Sequence, residues 1–260
     1  MKGFIYCRKI GEKMSEKETI AVEKTAEKTG FPVKQELLLE AGVHIGTKIK
    51  THDMTKYVFK RRDDGLFILD LRKISERLMA AAKLLAKYKP EEITVVASRV
   101  YSSNPAAKFA QLAGTNIIKG RFVPGTMTNM TCASFTEPKL IFVCDPKGER
   151  EAIVESATNG VPVIALCDTD NETKFIDLVV PINNKGKKSL ALIFYILSRE
   201  LMIAQGKISS YDEFTYDLNF FEHTLAEEPK KSKEDAPAKE VASEPVVPQE
   251  QPKENKEEKK

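Results

Sequence analysis

The strongest chemical signal in the sequence is a cluster of basic side chains within residues 48–62. Only Asp53 is acidic in this segment, and six residues are basic: Lys48, Lys50, Lys56, Lys60, Arg61 and Arg62. Closely spaced cations of this kind can neutralise the phosphates of a nucleic-acid backbone. The same density of charge is also typical of a solvated face that binds nothing. The segment therefore predicts either a phosphate-binding surface or an exposed charged face.

A second candidate, GVHIGTK at residues 42–48, partly matches a phosphate-binding loop. That loop needs four residues between its glycines and a Gly-Lys-Ser/Thr ending. Here three residues separate Gly42 from Gly46, and the order at the end is Gly-Thr-Lys. The GxGxxG and GxSxG signatures of dinucleotide-binding proteins and of many hydrolases are also absent from the sequence. Nucleotide binding through this loop is not expected.

Metal binding and covalent catalysis have little support in the sequence. No Cys or His lies at the two-to-four spacing that closes a zinc site. His44, between two apolar residues, is interpreted as a packed histidine, and Cys132, Cys144 and Cys167 as buried thiols. The wide spacing of the four cysteines, without a CxxC pair, is typical of a reducing compartment. The sequence predicts no catalytic residue, no metal ligand and no cofactor.

The elements that must position these side chains can be predicted from the hydrophobic pattern. Continuous apolar runs are typical of strands buried on both faces, and they lie at 66–70, 93–98, 140–144, 163–167 and 178–182, with a weaker run at 116–118. Apolar residues at three- and four-residue spacing predict helices between these runs, over 71–88, 102–114, 147–160 and 187–205. This alternation predicts an α/β fold with a parallel sheet covered on both faces.

Ligands of such sheets usually bind at the carboxyl ends of the strands. The longest loop there, residues 119–134, is rich in glycine and hydroxyl groups, and loops of this length are usually functional. Charge and loop position therefore suggest a second set of candidate phosphate-binding residues: Arg99, Lys119, Arg121, Thr128 and Asn129. A third set follows the last strand: Lys185, Lys187 and Lys188.

Both ends of the chain differ from the alternating core. Residues 226–260 contain five prolines and no aromatic residue, and this composition predicts a disordered tail. Their 8 lysines and 10 acids give this stretch a net charge of −2. Because the whole chain carries a net charge of +3, residues 1–225 carry +5. Residues 1–30 are predicted to form a polar extension. Met14 begins a second plausible start, so the sequence leaves the start open between Met1 and Met14.

An aromatic segment at 207–225 separates the core from the tail. It holds five of the chain's twenty aromatic residues: Tyr211, Phe214, Tyr216, Phe220 and Phe221. The neighbouring acids make it a poor RNA surface. The segment is predicted either to wrap over the domain or to contact a protein partner.

Four long blocks of the sequence are specific enough to indicate a family. They are AGVHIGTKIKTHDMTKYVFKRRDDGLFILDLRK at 41–73, GRFVPGTMTN at 120–129, EPKLIFVCDP at 137–146 and the stretch from GVPVIALCDTDNETKF to ILSREL at 160–201. In sequence and order these blocks resemble the small-subunit ribosomal protein two family, which includes the eukaryotic SA (laminin-receptor precursor) protein. The resemblance covers roughly residues 33–215.

Two departures from the family indicate an archaeal-type member. Bacterial members carry a long coiled-coil insertion after the first strand, whereas the helix predicted here at 72–88 runs directly to the strand at 93. Eukaryotic members carry a tryptophan-containing stretch in the last helix and a longer aromatic tail. This chain has no tryptophan, and Phe194 and Tyr195 stand in that region. Roles that depend on the coiled coil or on the eukaryotic tail, including laminin binding, are therefore not implied.

The resemblance implies a flavodoxin-like three-layer sandwich with a mostly parallel central sheet. It also implies a non-enzymatic constituent of the cytoplasmic small ribosomal subunit, which binds rRNA and neighbouring ribosomal proteins and supports translation and subunit assembly. No membrane and no small-molecule substrate is expected. The expected organisation is a polar extension, an α/β rRNA-binding domain, the aromatic segment and a charged tail, at residues 1–30, 31–206, 207–225 and 226–260.

The rival interpretation is a small-molecule enzyme or nucleotide-binding module that uses the crevice of the sheet. Such a protein would need a glycine loop that cradles phosphate, or acids and bases clustered at strand ends. The sequence shows neither feature, so the ribosomal interpretation is favoured.

Overall fold

The structure, a computed structural model, describes residues 35–208 and 211–222. Its strands are β1 (Val58–Arg61), β2 (Phe67–Leu69), β3 (Ile93–Ala97), β4 (Asn116–Lys119), β5 (Leu140–Val143), β6 (Val163–Cys167) and β7 (Leu178–Pro181). Strands β3 to β7 form one parallel sheet in the order β4-β3-β5-β6-β7. The predicted parallel α/β architecture is confirmed. The polar extension predicted at 1–30 and the tail predicted at 226–260 lie outside the described residues.

The helices are α1 (Gln35–Glu40), α2 (Leu71–Leu85), α3 (Val100–Ala113), α4 (Arg150–Asn159), α5 (Lys187–Ala204) and α6 (Leu218–Phe221). The four helices predicted from periodicity are α2 to α5, within three residues at each end. Both α3 and α4 end at a glycine in the left-handed conformation, Gly114 at φ 82° and Gly160 at φ 70°. Within the described residues, no helix is long and apolar enough to cross a membrane.

The core lies on both sides of the sheet. Every residue of β3, β5 and β6 is buried, as expected for central strands with continuous apolar runs. The chain moves from β3 to β4 in one direction and from β5 to β6 in the other. Because parallel crossovers are right-handed, α3 and α4 lie on opposite faces of the sheet. On the α3 face, the rings of Phe109, Phe142 and Phe194 pack together with centroids 5.7–6.3 Å apart.

The run at 66–70 was predicted as a buried strand of the parallel sheet, and this prediction is wrong. It forms β2, which pairs antiparallel with β1 as a separate hairpin. The hairpin closes at Gly65, whose φ of 84° lies in the left-handed region that glycine tolerates. Phe67 and Ile68 of β2 are only half-buried, whereas Leu69 is buried, so the run does not have the burial on both faces that was expected.

The aromatic segment packs against α5 where the structure describes it. Phe221 is fully buried and Phe214 nearly so, and both rings meet Tyr195 edge-on at 6.0 and 5.2 Å. Tyr211 and Tyr216 keep 48% and 36% of their surface exposed. The Phe214 and Phe221 rings therefore pack on α5, and Tyr211 and Tyr216 lie on the solvent-exposed side of the segment.

Candidate nucleic-acid interface

The basic segment is held in place by a small antiparallel sheet. Residues 45–47 pair with β2 on the side opposite β1, through an Ile45–Ile68 bridge and two backbone hydrogen bonds, Gly46 N–H to Phe67 O (2.9 Å) and Phe67 N–H to Thr47 O (3.0 Å). The same segment is also bonded to Thr169. The Thr47 N–H donates to Thr169 Oγ1 and the Thr51 N–H donates to Thr169 O, both at 2.9 Å. Because Thr169 follows the end of β6, the segment is attached to the carboxyl edge of the main sheet.

The close packing around Gly46 explains why the second glycine of GVHIGTK stands at this position. A Cβ atom at this position would lie 2.5 Å from Thr169 Cγ2 and 2.9 Å from Phe67 O. Both distances are shorter than van der Waals contact, so only glycine allows the segment to approach both neighbours. The glycine therefore serves close packing of the backbone.

All six cations of the first predicted set are exposed, and we call this set the hairpin surface: Lys48, Lys50, Lys56, Lys60, Arg61 and Arg62. Lys50 and Arg61 approach the Phe67 ring from its two flanking segments, at 5.3 and 5.7 Å from the centroid. Arg62 Nε lies 3.3 Å from Asp64 Oδ2, across the turn. Exposed contacts of these kinds each contribute at most about 1 kcal/mol. These weak contacts leave the cationic side chains accessible to a phosphate.

The loop at 119–134 is fixed to α4 by hydrogen bonds to Glu155 and Asn159. Glu155 accepts hydrogen bonds from the Gly125 N–H at 2.5 Å and the Met127 N–H at 3.1 Å. Of the residues predicted here, Lys119, Arg121, Thr128 and Asn129 are all exposed. Asn129 Oδ1 accepts from the backbone N–H and the hydroxyl of Thr131, so it shapes a turn. The structure presents these residues to solvent on a separate segment from the hairpin surface.

The remaining predicted cations are engaged to different degrees. Lys185 Nζ lies 2.8 Å from Asp170 Oδ1 and 3.3 Å from Asp168 Oδ2. Lys187 Nζ lies 3.8 Å from Glu222 Oε2, and Lys188 is exposed. Lys185 is therefore mainly an internal partner of two acids, whereas Lys188 is accessible.

Arg99 pairs with a buried carboxylate inside the protein. Its Nε lies 2.5 Å from Oδ2 of Asp145, a side chain that is almost fully buried. Asn171 and Asn184 also approach Asp145 Oδ1, at 3.4 and 3.3 Å. Arg99 thus supplies the charge that compensates a buried carboxylate, a role that the sequence did not indicate.

Asp145 belongs to a buried polar cluster at the carboxyl ends of four strands. It joins residues from the loops after β3, β5, β6 and β7: Ser98, Arg99, Asp145, Glu149, Asp168, Asn171, Asn184 and Lys185. The expectation that no acids and bases gather at strand ends is therefore wrong. Each of the four loops contributes only two members, and only the sheet brings the loops together.

The centre of this cluster is Glu149, at the start of α4. Its Oε1 accepts from the Ser98 N–H (2.7 Å) and hydroxyl (2.9 Å), and its Oε2 from the N–H groups of Cys144 (3.0 Å) and Asp145 (3.2 Å). Burial raises the pKa of Glu149 to about 7, although the hydrogen bonds oppose this shift. Burial also raises the pKa of Asp168, against the attraction of Lys185. Glu149 and Asp168 therefore hold the loops at the strand ends together through hydrogen bonds and an ion pair within the protein. Among the described residues, no three His, Cys, Asp or Glu side chains are arranged to hold a metal ion.

Replacing Arg99 with glutamine is expected to destabilise the fold. The substitution leaves Asp145 buried without its cation, which costs several kcal/mol for a fully buried pair. Because 36% of the Arg99 side chain is exposed, we expect a smaller loss of about 2 kcal/mol in the free energy of unfolding. Urea denaturation measures the change, with Arg99→Lys as the control that keeps the charge. Equal stability of the wild type and Arg99→Gln would contradict this role.

Together, fold and surface define a parallel α/β protein with an exposed basic hairpin at one edge and an internally bonded polar cluster beside it. A family model described as ribosomal protein S2 matches residues 38–137 and 132–202, which is more than half of the chain. The chain belongs to the ribosomal protein S2 family.

Similar proteins from archaea support this assignment. The small ribosomal subunit protein uS2 of Thermoplasma acidophilum is 47% identical over 190 residues, which cover 73% of this chain and 96% of the relative. The uS2 protein of Picrophilus torridus is 48% identical over 183 residues, 70% of this chain and 92% of the relative. That of Methanococcus maripaludis is 46% identical over 187 residues, 72% and 84% of the two chains. The predicted archaeal-type membership is confirmed.

Proposed function

We propose that the chain is a structural constituent of the small ribosomal subunit in the cytoplasm, where it binds rRNA and contacts neighbouring ribosomal proteins. The observation that carries this proposal is its membership of the ribosomal protein S2 family, with similarity over nearly the whole length of archaeal relatives. The function is structural and includes no catalytic step. It supports translation through the assembly and shape of the subunit.

The hairpin surface is the part of the molecule best suited to rRNA. Its six cations are exposed and stand on one anchored segment. That segment, residues 48–62, contains a single acid, Asp53, which accepts a hydrogen bond from Thr173. Lysine and arginine side chains that replace the counterions condensed on RNA increase the affinity of a protein for RNA, whatever the base sequence. Folded RNA is then recognised by its shape and by loops that follow its backbone. The exposed residues of the 119–134 loop and Lys188 are secondary candidates.

A protein neighbour fits the outer side of the aromatic segment. Tyr211 and Tyr216 are exposed there beside the acids Glu213 and Asp217. Aromatic side chains supply large contact areas at protein interfaces, and the nearby negative charges disfavour RNA. We therefore assign the hairpin surface to rRNA and this aromatic side to a ribosomal protein.

Sedimentation tests the proposed function directly. The purified chain is expected to co-sediment with small ribosomal subunits that lack their own copy of this protein, and to show no rise in melting temperature with nucleotides. Subunits that already contain the protein are the control and should bind little. Sedimentation apart from the subunits, together with a nucleotide-dependent rise in melting temperature, would favour the rival nucleotide-binding interpretation.

A further inference from the structure

Phe59 is the most exposed aromatic side chain among the described residues. It lies on β1, directly before Lys60, and 70% of its surface is exposed. Within residues 35–208 and 211–222, no ring or cation packs on it, in contrast to Phe67 on the neighbouring strand. An isolated exposed apolar residue needs no explanation by itself. The geometry of the strand at this position provides a second observation.

A β-bulge places Phe59 outside the regular pairing of the hairpin. Val58 pairs with Leu69 and Lys60 pairs with Ile68, so two adjacent residues of β2 face three residues of β1. Phe59 is the extra residue. Bulges re-aim a side chain and occur frequently next to functional sites. The ring is thus displaced from the sheet pattern while both its neighbours stay paired and hold the backbone.

The charges around the ring select the class of ligand. The bulge interrupts the segment that carries the six cations of the hairpin surface and one acid. A ring beside a positively charged track is the arrangement with which proteins hold unpaired nucleotides, since the base stacks on the ring while the cations meet the flanking phosphates. A base inside a continuous duplex offers no free face, so an unpaired base is required.

We infer that Phe59 is a stacking site for one unpaired base of the RNA that the hairpin surface binds. This inference rests on the proposed function and names the feature of the RNA that the surface selects. Stacking is expected to add affinity for loops or bulges over duplex. The cations of the same segment add affinity for both, because they contact phosphates.

Phe59→Trp tests the contact directly, because the chain has no tryptophan of its own. A base that stacks on the indole quenches its emission. The probes are an RNA stem-loop with an unpaired purine loop and a fully paired duplex of the same length, each added to the full chain. We expect strong quenching by the stem-loop and weak quenching by the duplex. Tyr216→Trp, in the acidic aromatic segment, is the matched control and should keep its emission.

Phe59→Leu tests the energetic consequence. Leucine keeps an apolar side chain but removes the ring, so affinity for the stem-loop and for a small-subunit rRNA transcript should fall about tenfold. The salt dependence of binding should not change, because no cation is removed. Melting temperature should change little, since 70% of the Phe59 surface is exposed and no ring or cation packs on it among the described residues.

The outcomes separate this inference from the function on which it rests. If Phe59→Trp and Phe59→Leu bind the transcript like the wild type, and the indole is not quenched, the stacking site is refuted while rRNA binding stands. Quenching that occurs only with another small-subunit protein would assign the ring to a protein contact and also refute the inference. If the wild-type chain binds neither the transcript nor the subunits, the proposed function fails, and the stacking site fails with it.

Discussion

Changing Lys60, Arg61 and Arg62 together to glutamine is expected to flatten the salt dependence of rRNA binding by about two units of log affinity per log salt. Each phosphate contact that is lost removes roughly 0.7 to 0.9 of a released counterion from the slope. All three side chains are exposed, and Arg62 also forms a solvated ion pair with Asp64. Binding to a small-subunit rRNA transcript across a series of salt concentrations measures the effect.

A second triple variant separates local contact from net charge. Lys83, Lys87 and Lys89 are exposed on α2 and the turn that follows it, away from the hairpin surface in sequence. Their change to glutamine lowers the net charge by the same amount, but the slope should stay near that of the wild type. Equal slopes for the wild type and the Lys60, Arg61 and Arg62 variant would show that the hairpin surface is a solvated face. The contact would then have to be sought at the 119–129 loop.

The fold of the hairpin variant is expected to persist. Glutamine keeps similar volume, and the contacts that are lost are the stacking of Arg61 on Phe67 and the solvated pair of Arg62 with Asp64. Each contributes less than about 1 kcal/mol at an exposed site. A change in slope can therefore be attributed to RNA contacts rather than to unfolding.

The main sheet could be predicted from sequence because its strands are buried on both faces. The runs at β3, β5 and β6 are continuous, and glycines end both α3 and α4. The hairpin was missed for the opposite reason. Strand β1 reads Val-Phe-Lys-Arg, and its charged residues conceal the pairing with β2. The turn residues Asp63, Asp64 and Gly65 were the available signal, since Asp-Gly between two strands favours a tight hairpin.

The candidate site was predictable only where charge density alone identifies it. The six cations of the hairpin surface are neighbours in sequence, and the structure leaves all of them exposed. Arg99 and Lys185 carry the same charge, but their environment is set by Asp145, Asp168 and Asp170 from distant loops. No local pattern distinguishes a cation that meets a phosphate from one that compensates a buried carboxylate.

The same argument applies most strongly to Glu149, whose environment depends on two separate segments of the chain. Its carboxylate joins Ser98 after β3 to Cys144 and Asp145 after β5, and it is almost fully buried. With a pKa of about 7 in the folded protein, Glu149 holds a proton at pH 5 that an unfolded chain has largely released. The folded state binds more protons over this range, so its stability falls as pH rises from about 4.5 to about 7.

Glu149→Gln is expected to remove this pH dependence. Glutamine has the same shape as the protonated acid and does not titrate, so the wild type should lose about 2.5 kcal/mol relative to the variant between pH 5 and pH 8. Asp168, whose pKa burial also raises, titrates in both proteins and cancels in the comparison. In the variant, the glutamine amide N–H groups face backbone N–H donors, which lowers its free energy of unfolding. This loss does not depend on pH, so it does not alter the slope of the comparison. Free energies of unfolding in urea at several pH values measure the effect. Parallel curves for the two proteins would show that Glu149 stays ionised throughout, and that its four hydrogen bonds outweigh the cost of burying its charge.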